Sequence, residues 1–120
     1  MEVFKEITFE AAHRLPNLPA DHKCARLHGH SYRVVVHVEG PLTPDEGWVV
    51  DFADIGEAFA PLHEQLDHRY LNDVEGLDNP TSERLAEWIW DRLAPRLAGL
   101  SEVVVHETCT SGCRYRGPAN

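Results

Sequence analysis

A thiol and two imidazoles fall within seven residues, Cys24-Ala25-Arg26-Leu27-His28-Gly29-His30. In extended backbone successive side chains alternate faces, so His28 and His30 leave the same face. Two imidazoles on one strand face can grip one metal ion. A third, His13, lies fifteen residues before His28. Three neutral histidines leave one position of a tetrahedral zinc open, which is the catalytic rather than the structural kind of site. His22 competes for the third place, but it sits in a loop beside Lys23. Cys24 then has two available parts. Lys23, Arg26 and a nearby dication all favour its thiolate, which makes it a nucleophile or base beside the metal. As a fourth ligand it would instead close the site and make it structural.

Other residues carry weaker signals. Asp67-His68 joins a carboxylate to an imidazole in a polar loop, a partnership that tunes the proton of a cysteine base. A solvated histidine at a helix end is the plainer use of the same pair. Glu107, beside Thr108, follows the apolar run Val103, Val104, Val105. An acid there is costly to bury unless it is paired. A carboxylate can accept two N–H donors from a guanidine-like ring edge, and an exposed strand face or a salt bridge would also accommodate it. Cys109 and Cys113 lack Cys-x-x-Cys spacing and read as two reduced thiols flanking a turn. Between Arg14 and Arg33 the basic residues are Arg14, Lys23, Arg26 and Arg33, against the single acid Asp21. A locally positive, metal-bearing patch on an acidic chain suits a small anionic substrate.

The elements that must position these groups follow from periodicity. Residues 3–13 alternate as a strand, with Val3, Ile7, Phe9, Ala11 and His13 on one parity. Residues 14–27 carry Pro16, Asn17, Pro19 and Asp21 and form a loop. Residues 30–39 are a second strand, rich in β-branched side chains, with Tyr32, Val34, Val36 and Val38 on the parity of His30. Residues 43–47 turn, and Trp48–Val50 adds a short extended piece. Phe52, Ile55, Phe59, Leu62 and Leu66 make one helical stripe, capped by Asp51 or Asp54 and kinked or split at Pro61. A second helix opens after Pro80-Thr81-Ser82, with Leu85, Ile89, Leu93 and Leu97 on one side and Pro95 near its end. Residues 102–109 form a third strand and 113–116 a fourth. The order ββααββ predicts an α+β sandwich: an antiparallel four-stranded sheet with both helices on one face. Its open edges favour pairing with other subunits.

The 120 residues fit a single domain spanning 1–120. A formal net charge of −9 disfavours nucleic acid and anionic membrane as partners. An odd number of cysteines, three, fits reduced thiols. No run approaches the length of a membrane helix, and the first residues lack a signal-peptide pattern, so the expected location is cytoplasmic.

The motifs together resemble the 6-pyruvoyl-tetrahydropterin synthase superfamily, and within it the bacterial queuosine-pathway branch, the 6-carboxy-5,6,7,8-tetrahydropterin synthases. The resemblance is carried by Phe9-Glu-Ala-Ala-His13-Arg-Leu-Pro16, by the run from Cys24 to His30, and by Val50-Asp-Phe52. It continues through Leu66-Asp-His68, Leu71-Asn72, Asn79-Pro-Thr-Ser-Glu83 and Glu107-Thr-Cys-Thr-Ser-Gly-Cys113. The C-terminal two-cysteine segment points to the carboxy branch. The resemblance implies a tunnelling fold, whose trimers close a barrel and stack as a hexamer. It implies zinc on His13, His28 and His30, and Cys24 as proton acceptor working with Asp67 and His68 of a neighbouring subunit. Glu107 would anchor the pterin ring, helped by Thr81, Ser82 and Thr108. The implied substrate is 7,8-dihydroneopterin triphosphate. The implied products are 6-carboxytetrahydropterin, acetaldehyde and triphosphate. A pyruvoyl-type synthase with the same apparatus, or a non-catalytic zinc module, are the rival expectations. The basic island is expected to meet the triphosphate.

Overall fold

The computed structural model describes residues 1–119. Alternating apolar residues make β1 (Glu2–His13) and β2 (His28–Glu39) two long strands that pair antiparallel along their whole length. Directly opposite residues share a face, so Phe9 meets Tyr32 and Ile7 meets Val34 on the inner face. β2 also pairs antiparallel with β4 (Leu100–His106), and β4 with β5 (Gly112–Tyr115).

The sheet has five strands rather than four. The additional strand, β3 (Arg69–Tyr70), pairs parallel with Ala11 and Ala12 of β1, so the sheet is mixed and runs β3-β1-β2-β4-β5. Two residues cannot display a period of two, which is why the sequence reads this segment as loop. Within one chain the sheet is open, with β3 and β5 at its edges.

Two helices cover the inner face. α1 (Phe52–Leu66) is started by the Asp51 carboxylate, which accepts from the Ala53 N–H at 2.9 Å. It buries Ile55, Ala58, Phe59, Leu62 and Leu66, whereas Phe52, expected on the stripe, is exposed. Pro61 does not split it. The proline lies on the solvent side, where water can take the place of the missing N–H donor. α2 (Ser82–Leu93) buries Leu85, Ala86, Trp88, Ile89 and Leu93. The core is thus one layer between the helices and Tyr32, Val34, Val36, Val103 and Val105 of the sheet.

The remaining expectations shift by a few residues. Trp48–Val50 forms bends, not a strand. β2 begins at His28, so both histidines of the motif lie inside the strand. β4 ends at His106, and the Glu107 and Thr108 amides both donate to Ser111 O, at 3.1 and 3.3 Å, closing the turn into β5.

Candidate metal and substrate site

The strand register builds the site. His13 faces His28 and Ala11 faces His30 across the β1–β2 ladder. Side chains of both pairs project from the inner face, beyond the last large apolar pair, Phe9 and Tyr32. The three imidazole centroids lie within 4.6–5.1 Å of one another. His13 is fully buried.

Backbone carbonyls fix the direction of two of the rings. His13 Nδ1 lies 2.8 Å from Pro80 O, and His28 Nδ1 lies 2.7 Å from Arg26 O. A carbonyl oxygen only accepts, so each Nδ1 must carry the hydrogen and donate it. The two Nε2 atoms, left with lone pairs, nevertheless stand 3.0 Å apart. His30 Nε2 is buried and has no aligned hydrogen-bond partner. It lies 2.8 Å from Glu107 Oε1, close but not in hydrogen-bond alignment. Lone pairs converging in this way need an electrophile between them, a metal ion or, in the metal-free protein, a proton. The donor set therefore fits a metal, and one ligand atom from each of His13, His28, His30 and Glu107 falls within 4.8 Å of all the others.

Electrostatics agree with that reading. Burial, with the two neighbouring imidazoles, holds His30 below the ordinary imidazole range, against the pull of Glu107. That favours the neutral ring, the form that ligates metals. The Glu107 carboxyl is held down to about 2. The main cause is the His13 ring, whose Nε2 stands 3.5 Å from Oε1 and holds the carboxylate when it carries a proton; Ser82 and the charge of the imidazoles add to it, and burial opposes them. The Ser82 hydroxyl donates to Glu107 Oε2 at 2.6 Å, which leaves Oε1 to face the histidines.

Tyr32 is a site residue that sequence reasoning assigns only to the core. Its buried hydroxyl lies 3.2 Å from His13 Nδ1, and burial pushes the phenol well above its usual range, so it stays neutral. Its parity, shared with His30, was the available signal. Asn72, of the Leu71-Asn72 motif, accepts from Arg14 N at 3.0 Å and donates to Arg14 O at 2.9 Å through its amide, pinning the start of the loop that carries Cys24.

Cys24 sits half-buried in a one-turn 3₁₀ helix, Lys23–Ala25. The His22 ring accepts from the Cys24 N–H at 3.0 Å, so His22 shapes this turn and is not in the metal-ligating group. Nor is Cys24 among the four converging ligand atoms. Asp67 and His68 form their own unit, with His68 Nδ1 at 3.0 Å from Asp67 Oδ2. Asp67 Oδ1 accepts from Glu10 N at 3.0 Å; that bond, followed by the one from His68, lowers its carboxyl below the ordinary range. His68 takes a left-handed backbone, φ 58°, and its side chain is 78% exposed. Among the described residues no hydrogen bond or ion pair joins Cys24 to Asp67 or His68. His68 lines a cleft of about 590 Å³ together with Glu10, His30 and Arg69.

Three expected helpers are placed differently. Thr81 caps α2 by accepting from Arg84 N at 3.1 Å. Ser82 serves Glu107 directly. Thr108 is exposed in the turn after β4, 3.4 Å from the Thr110 hydroxyl. Of the basic island, Arg33 projects from the face opposite the histidines and pairs with Glu6 at 3.4 Å. Arg14, Lys23 and Arg26 are exposed on the site's own loop.

The mixed sheet, the two helices on one face and the histidine cluster at its end define a fold shared with pterin synthases. The solved structure of Caenorhabditis elegans 6-pyruvoyl tetrahydropterin synthase superposes with a TM-score of 0.90 at 28% identity, covering 98% of this chain and 96% of that one. The family model for 6-pyruvoyl tetrahydropterin synthase matches residues 2–118, and the chain belongs to that family. A 6-carboxy-5,6,7,8-tetrahydropterin synthase of Synechocystis is 45% identical, covering 97% of this chain and 93% of the relative. A 6-pyruvoyl tetrahydrobiopterin synthase of Drosophila melanogaster is 38% identical over 92% of this chain and 76% of its own.

Proposed function

We propose that the protein is a zinc-dependent lyase that converts 7,8-dihydroneopterin triphosphate to 6-carboxy-5,6,7,8-tetrahydropterin, acetaldehyde and triphosphate, on the route to queuosine. The observation that carries this reading is the convergence of three imidazole Nε2 atoms, two of them oriented by carbonyls, beside an ionised carboxylate. The similarity to the Synechocystis enzyme supports the carboxy branch.

In this reading His13, His28 and His30 would hold zinc, which when bound polarises side-chain oxygens of the substrate. The other roles fall to the chain's own groups. Cys24 takes a proton from a side-chain carbon beside those oxygens. Asp67 orients His68, and the pair acts on the Cys24 of a neighbouring subunit, within a hexamer of two stacked trimers. The open sheet edges and the lack of any bond from the dyad to its own Cys24 support that division. Glu107 accepts the N–H groups of the pterin edge, with Ser82 fixing its orientation and Thr81 and Thr108 flanking it. Arg14, Lys23 and Arg26 offer positive charge to the triphosphate. The enzyme would work in the cytoplasm on a small molecule.

The experiment is incubation of the zinc-loaded protein with 7,8-dihydroneopterin triphosphate, followed by mass-spectrometric identification of the products. Acetaldehyde and the 6-carboxy product are expected. A 6-pyruvoyl product would instead favour the synthase activity named for the Drosophila and C. elegans relatives. No turnover with zinc bound would favour a structural zinc module.

A further inference from the structure

Glu107 stands too close to the histidines for a residue whose sole task is to grip a pterin ring. A tetrahedral zinc with bonds of about 2.0–2.1 Å places neighbouring ligand atoms about 3.3 Å apart. The separations here are 3.0 Å between His13 Nε2 and His28 Nε2, 3.5 Å between His13 Nε2 and Glu107 Oε1, and 2.8 Å between His30 Nε2 and Glu107 Oε1. These three of the six edges straddle the ideal, and all six lie within 4.8 Å. Glu107 Oε1 thus stands where a fourth ligand would stand.

Two local features hold it there. Glu107 keeps the parity of the inward-facing Val103 and Val105, and the turn in which Glu107 N and Thr108 N both donate to Ser111 O fixes it beside the ends of β1 and β2. The Ser82 hydroxyl, at the start of α2, occupies Oε2 and presents Oε1 to the imidazoles. His30 Nε2, otherwise without an aligned partner, faces the same point.

We infer that Glu107 Oε1 is the fourth ligand of the metal in the substrate-free protein, and that a pterin ring displaces it by offering its N–H edge to the same carboxylate. This rests on the proposed metal and substrate. One carboxylate then has two alternative partners. It closes the coordination sphere at rest, which limits adventitious chemistry at an open metal, and it opens a position only when the correct ring is present. The exchange is balanced: one metal–oxygen bond breaks, and two charge-assisted hydrogen bonds form.

The test uses the protein stripped with a chelator and reloaded with Co(II), whose visible absorption reports ligand set and geometry. Glu107→Gln is expected to alter that absorption and to lose Co(II) to competing chelator roughly 10- to 100-fold faster than the native protein. Identical spectra and loss rates would overturn the inference. A second arm needs no variant. Unsubstituted pterin, which has no side-chain oxygen to offer to a metal, is titrated into the native Co(II) protein while its own fluorescence reports binding. Bound pterin should change the Co(II) absorption; bound pterin with an unchanged spectrum would overturn the inference. If pterin fails to bind, the proposed substrate class is wrong, and the Glu107→Gln arm alone decides whether the carboxylate is a ligand.

Discussion

Removing the hydroxyl of Ser82 should weaken the protein through Glu107 and through nothing else. The bond is 2.6 Å long, its donor residue is buried, and its acceptor is an ionised carboxylate. Hydrogen bonds to charged groups contribute about 1.5–3 kcal/mol net, against about 0.5–1.5 kcal/mol for neutral partners. Ser82→Ala should therefore cost about 2 kcal/mol in the native background but only about 1 kcal/mol when Glu107 is already Gln, a coupling of about 1 kcal/mol. The assay is urea unfolding of metal-stripped protein, native and the three variants, at pH 7, because bound metal would add its own linkage. The pH dependence sharpens the test. A carboxyl lowered from its ordinary 4.5 to about 2 contributes about 3 kcal/mol. The sign is that of a depressed acid: this stability is complete above pH 4.5 and is lost as pH falls through about 2. Ser82→Ala, by weakening one of the bonds that hold the proton off, raises the folded-state pKa, so its acid-dependent loss starts from the same pH, is smaller, and is complete at a higher pH than in the native protein. An equal cost for Ser82→Ala in both backgrounds would refute the reasoning, as would an unchanged acid limb.

Other outcomes follow from geometry elsewhere in the chain. Gly99 has φ 84°, and a Cβ there would collide with Glu39 O, so Gly99→Ala should lower the unfolding free energy by at least about 2 kcal/mol in urea titrations. Asp67→Asn keeps an acceptor for the Glu10 N–H but removes the charge beside His68; turnover should fall about 100-fold or more with the melting temperature nearly unchanged. Burial, with the Glu83 carboxylate, pushes the Cys113 thiol up, whereas Cys109 is exposed. Iodoacetamide at pH 8 should alkylate Cys109 well before Cys113, as read by mass spectrometry of timed digests.

The long strands and their histidines were legible because the pleat imposes a strict period of two. His13, His28 and His30 share a face by parity alone, and the register then brings His13 opposite His28. The two helices were legible for the same kind of reason, at a period of 3.6. Parity, applied fully, would also have placed Arg33 on the face opposite the histidines, since it stands three residues after His30. What the sequence hid was decided by single backbone contacts. β3 exists because two residues meet the edge of β1. Glu107 lies just past β4, in a turn where Ser111 O accepts from two amides. The tautomers of His13 and His28 are set by carbonyls of Pro80 and Arg26, which carry no side-chain signature.

The central claim is a division of labour: imidazoles bind the metal, and the nearby cysteine reacts. Cys24→Ala, with zinc content and turnover of 7,8-dihydroneopterin triphosphate measured on the same sample, tests it most directly. Zinc content should match that measured for the native protein, while turnover falls by several orders of magnitude. Loss of zinc, or turnover near the native rate, would contradict the account.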